Sequence, residues 1–117
     1  MKYHFSYDVI NYEKDFGSYD EARRYMLCVL SNTGFVDIAS YNASTFIIEY
    51  DKDTSTLPDY LHTNLSKYFY YSLSLVGKQA EGTEMINHHP DMGLDIKVKK
   101  EIRNLDCSGL GKEISNN

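Results

Sequence analysis

The stretch that most constrains the fold is residues 18–34, SYDEARRYMLCVLSNTG. Ser18 and Glu21 have the S-x-x-E spacing of a capping box, in which hydroxyl and carboxylate each satisfy an amide left over by the first helical turn. Ala22, Tyr25, Met26, Val29 and Leu30 then recur at the spacing of one helical face, and Asn32-Thr-Gly34 supplies the stop. Ahead of this helix, Tyr3, Phe5, Tyr7 and Val9 alternate with His4, Ser6, Asp8 and Ile10, the period of a strand. Residues 11–17 read as a loop between the two.

The pattern continues in kind. Residues 35–40 and 45–50 read as two strands around a hairpin turn at residues 41–44, and a polar loop follows them. Thr56 caps a second helix with Pro58 in its first turn, where a missing amide costs nothing. Leu57, Tyr60, Leu61 and Leu65 form its apolar stripe, and residues 69–76 (FYYSLSLV) give a last strand ended by Gly77. The order predicts an α+β fold over residues 3–77: the ferredoxin-like βαββαβ arrangement, a four-stranded antiparallel sheet with two helices on one face. Residues 78–117 read as a C-terminal extension. Gly82 and Gly93 break it, Ile96 and Val98 suggest one short strand for a sheet edge, and residues 108–117 look like a loose polar end.

Composition narrows the function classes. The net charge is −5, and residues 1–60 hold five Lys/Arg against ten Asp/Glu, whereas residues 61–117 hold seven of each. An acidic first half argues against a general nucleic-acid platform, which needs a basic face to displace counterions. Only Lys97, Lys99, Lys100 and Arg103 cluster. No apolar run approaches the ~20 residues of a membrane span, so no membrane partner is expected. Cys28 and Cys107 are far apart and form neither a disulfide framework nor a zinc motif, which makes a reducing cytoplasm the default expectation. Of the eleven tyrosines, Tyr3, Tyr7, Tyr50, Tyr70 and Tyr71 fall in the strands, and an uncovered sheet face rich in them would predict a homodimer.

The segment STFIIEYDKDTSTLPDYLHTNL (residues 44–65), preceded by Gly34-Phe35, resembles the middle of the small ferredoxin-like nucleases. That group includes the VapD toxins, the CRISPR adaptation nucleases and the GhoS-type antitoxin ribonuclease. The resemblance spans residues 3–77 and matches a first-strand aspartate at Asp8 and a Ser-hydrophobic strand at Ser44-Thr45-Phe46. It implies a cytoplasmic, metal-dependent endonuclease or ribonuclease of the toxin–antitoxin and defence type, acting on RNA or DNA. In that reading two Asp8 carboxylates meet across a dimer axis and hold Mg²⁺, which orients a water and neutralises phosphodiester charge. Ser44 would bind a phosphate, and Tyr7, Tyr12 and Tyr41 would stack bases. The structural alternatives are that Asp8 marks a strand end, that Ser44 opens a strand, and that the tyrosines pack against a partner sheet. The region also departs from the group, because the residues after Asp8 (INYEKDFGS) are acidic where its CRISPR members carry a basic run.

A second stretch, GTEMINHHPDMGLD (residues 82–95), resembles the His-His-Pro signature of pterin-4a-carbinolamine dehydratases through Glu84, His88, His89 and Pro90. The aromatic and the third histidine of that family are missing. Taken alone, His88, His89, Asp91 and Asp95 carry the imidazole and carboxylate groups of a transition-metal site, or form a polar turn bent by Pro90. The remaining reading is non-enzymatic: an acidic binding module on the same fold, engaging a protein partner as inhibitors and antitoxins do.

Overall fold

The computed structural model of the chain describes residues 1–76 and 92–116. Strand β1 (Lys2–Val9) is followed by a short helix α1 (Tyr12–Phe16), where a loop is expected, and then by helix α2 (Tyr19–Ser31). Asn11 caps α1 by accepting from the Lys14 amide, and the Ser18 hydroxyl caps α2 by accepting from the Glu21 amide at 3.2 Å. Strands β2 (Asp37–Asn42) and β3 (Thr45–Glu49), helix α3 (Leu57–Leu65) and strand β4 (Phe69–Val76) complete the ferredoxin-like βαββαβ core. The sheet is antiparallel in the order β2-β3-β1-β4, so β1 is central and pairs with both β3 and β4.

Period-two alternation decides which side chains enter the core. Phe5, Tyr7, Ile38, Phe46, Ile48 and Phe69 point to the helices and meet Tyr25, Met26, Val29 and Leu30 of α2 and Tyr60, Leu61 and Leu65 of α3 in one buried cluster. The Phe5 and Phe46 rings, both fully buried, stack with centroids 6.5 Å apart. Burying a side chain of this size contributes about 1.5–3 kcal/mol. The β2–β3 hairpin turns on two residues although no described non-glycine residue has positive φ, which excludes the usual primed turn. A register irregularity between Ser40 and Asn42 supplies the extra bend instead.

The C-terminal extension departs from the sequence reading twice. Ile96 and Val98 lie not in a strand but in helix α4 (Met92–Arg103). Leu94, Val98 and Ile102 recur every four residues and pack on the core, and the Asp95–Lys99 ion pair (2.7 Å) spans one turn. This helix covers the β2 edge that a strand is expected to cover: Asp95 Oδ1 accepts from the Ser40 amide at 2.9 Å. Nor are residues 104–116 loose. Arg24 donates to the carbonyls of Asp106, Ser108 and Gly109, and Lys112 sits over the rings of Phe16 and Tyr68. Buried Asn64 exchanges two hydrogen bonds with the Ser115 backbone, each 2.8 Å. Cys28 and Cys107, read from sequence as unconnected, form a disulfide that closes 79 residues of chain. Cysteine usage therefore no longer argues for a reducing compartment. No described helix is long and apolar enough to cross a membrane.

Candidate functional site

With α2 and α3 on one face and α4 along one edge, no described element packs on the opposite face of the sheet. Register places Lys2, His4, Ser6 and Asp8 along it on the central strand. Glu49, Ile47 and Thr45 stand beside them on β3, and Val76, Ser74, Ser72 and Tyr70 on β4. Lys2 is flanked by Glu49, and Asp8 pairs in register with Tyr70, whose ring is 67% exposed. The Ser6 and Ser72 hydroxyls hydrogen bond at 2.9 Å, fixing one row between these two charged ends. Asp8 is exposed, and no hydrogen bond or ion pair to another described residue engages its carboxylate. Among the described residues no group of three metal-ligating side chains forms.

The sequence-derived residues scatter. Ser44 lies in the hairpin turn near the Asp8 end of β1, where its carbonyl accepts from the Tyr7 amide and its own amide donates to Asn42. Tyr12 is on α1, half-exposed and edge-on to the Tyr19 ring at 6.0 Å, away from the sheet face. Tyr7 faces the helices and is 6% exposed, so it is closed to base stacking. Tyr3, Tyr50 and Tyr71 likewise turn inward, which leaves Tyr70 as the large exposed aromatic described on the outer face. The premise of a tyrosine-rich open face is thereby corrected: Tyr3, Tyr7, Tyr50 and Tyr71 serve the core. Asp95 is committed to Ser40 and Lys99, and these partners hold its carboxyl below the usual 3.8. Glu84, His88, His89, Pro90 and Asp91 lie outside the described residues.

A polar cluster that sequence reasoning missed links the sheet to α4. Arg23 grips Glu101 with both Nε (2.9 Å) and Nη2 (3.0 Å), and its Nη1 donates to the Tyr7 hydroxyl and the Ala43 carbonyl, each at 2.6 Å. Burial and the Tyr19 hydrogen bond push the Tyr7 phenol well above its ordinary range, and Arg23 only partly opposes this. Burial alone would lower the guanidinium, but Glu101 and Tyr7 outweigh it and keep Arg23 firmly charged. A phenol and a guanidinium held this firmly do not exchange protons near neutral pH, so the cluster acts as a clamp. Its partners are 78 residues apart, and no local pattern announces them.

No protein-family model matches the chain, and neither a curated protein nor a solved structure does.

Proposed function

We propose that the protein is a non-enzymatic interaction module that pairs with a second copy of itself through the outer face of its sheet. The observation that supports this reading is the charge order along β1. Lys2 and His4 stand at one end of the face and Asp8 at the other, with hydroxyl groups between. Two such faces stacked with their β1 strands antiparallel set each Asp8 against the other copy's Lys2. Tyr70 then supplies a rigid aromatic contact of the kind enriched at interfaces. The face is polar, which suits a wet interface. Light scattering at micromolar concentration tests it. Twice the chain mass is expected for the wild type and the chain mass for Tyr70→Arg; a monomeric wild type rejects the reading.

The nuclease reading rests on the one feature that favours it, the unengaged Asp8 carboxylate. It requires the opposite stacking, with β1 strands parallel and the two Asp8 side chains together. Like charges at that distance repel unless a cation lies between them, so this dimer would need Mg²⁺. RNA or DNA cleavage that appears with Mg²⁺ and vanishes in both chelator and Asp8→Ala would support it. No cleavage, with a dimer indifferent to chelator, supports the interaction module.

A further inference from the structure

We infer that the Cys28–Cys107 disulfide is a redox latch that holds residues 104–116 as a strap across the helical layer. The strap starts where α4 ends and crosses α2 at Cys28 and Arg24. It passes Lys112 over Phe16 and Tyr68, and reaches Asn64 of α3 through Ser115. Leu105, Leu110 and Ile114 pack on the core only in part. These contacts oppose the conformational entropy lost in ordering residues 104–116. Solvent-competing hydrogen bonds and half-buried aliphatic side chains do not outweigh that cost by much. The covalent link decides the balance.

The two cysteines differ in exposure. Cys28 is fully buried in α2, whereas Cys107 is exposed in the strap. A dithiol reductant attacks as thiolate at the Cys107 sulfur, forming a mixed disulfide there and expelling the Cys28 thiolate, which takes a proton from water. The second thiol of the reductant then attacks its own sulfur in the mixed disulfide. It leaves as a cyclic disulfide and frees the Cys107 thiol, which is also protonated. Two electrons and two protons pass from the dithiol to the protein. The sheet and its helices do not depend on the strap for their core: the buried cluster is drawn from β1–β4, α2, α3 and Val98 of α4. Release uncovers the Phe16 and Tyr68 rings and the Asn64 carboxamide while leaving that cluster in place.

Hydrogen exchange of the whole chain, with and without dithiothreitol, reads the latch directly. Reduction should speed exchange of the hydrogen-bonded strap amides, Leu105, Ser108 and Ser115, roughly tenfold or more, leave β1 and β3 protected, and reverse on reoxidation. Cys107→Ser, which removes an exposed sulfur and leaves α2 intact, should show the fast strap without reductant and ignore its addition. Three results would overturn the inference. They are a strap that stays protected in both reduced and Cys107→Ser protein, a sheet that loses protection along with the strap, and two free thiols in the protein before reduction.

Discussion

Much of this interior is built from tyrosine, so alkali is a direct probe of its packing. Tyr25 is 2% exposed and donates to the Asn64 carbonyl at 2.8 Å; Tyr60 is 7% exposed and donates to the Val29 carbonyl at 2.8 Å. Burial pushes each phenol up from 10.0 to about 12, because a phenolate would lose its hydration there. Each phenol therefore keeps its proton longer in the folded chain than in the unfolded one. The stability this represents is intact below pH 10 and is lost as pH rises from 10 through 12. At about 1.4 kcal/mol per pH unit, two tyrosines cost on the order of 5 kcal/mol across that window. That is a large part of the ~5–15 kcal/mol typical of a domain, and Tyr7 adds to the loss. Tyrosinate absorbance and far-ultraviolet circular dichroism, followed together from neutral pH upward, should show the buried phenols ionising in the same step that melts the fold. A Tyr25→Phe, Tyr60→Phe double variant should be less stable near pH 7 by about 1 kcal/mol per lost hydrogen bond. Near pH 12 it should be the more stable protein, so the two stability curves cross. Gradual ionisation with the dichroism intact, or a double variant weaker at every pH, would refute the reasoning.

The two faces of the sheet should answer differently to truncation. Phe46→Ala removes a fully buried ring stacked on Phe5 and Tyr7 and should cost about 3–5 kcal/mol in urea, whereas Tyr70→Ala should stay within about 0.5 kcal/mol if measured below the dimerisation range. Acid should loosen α4 before the sheet. Asp95 is held below 3.8 by Lys99 and the Ser40 amide, so its contribution is complete above that pH and lost as pH falls through its lowered folded value. Hydrogen exchange should show α4 protection falling below about pH 4 in the wild type. Asp95→Asn should weaken α4 at neutral pH and reduce the acid dependence, and an unchanged profile would count against the edge contact.

The core was legible because its signals are local. The S-x-x-E cap, the α2 stripe and the alternation of β1 each lie within a dozen residues, and together they imply both the elements and their inward faces. Around Ile96 and Val98 the sequence reads as a strand because these two alternate, while Leu94, Val98 and Ile102 also recur as a helix does. The choice is made by the β2 edge, which the Asp95 carboxylate caps. Other features depend on residues far apart in the chain: the 79-residue disulfide and the Arg23–Glu101 clamp require the fold to exist first. Tyr7 shows the limit for function. Its alternation placed it on a strand, but only the register and the helices decide that it faces Arg23 and not a ligand. Asp8 stands exposed on the outer face, as either of its two functional readings needs.

A charge-swap series followed by sedimentation velocity bears most directly on the self-pairing face. If the β1 strands stack antiparallel, Asp8→Lys alone and Lys2→Asp alone each set like charges against one another and should give monomers. The double swap restores opposite charges at both positions and should recover the dimer without added metal. A double swap as monomeric as either single variant, or single swaps that leave the mass of the wild type unchanged, would contradict the account.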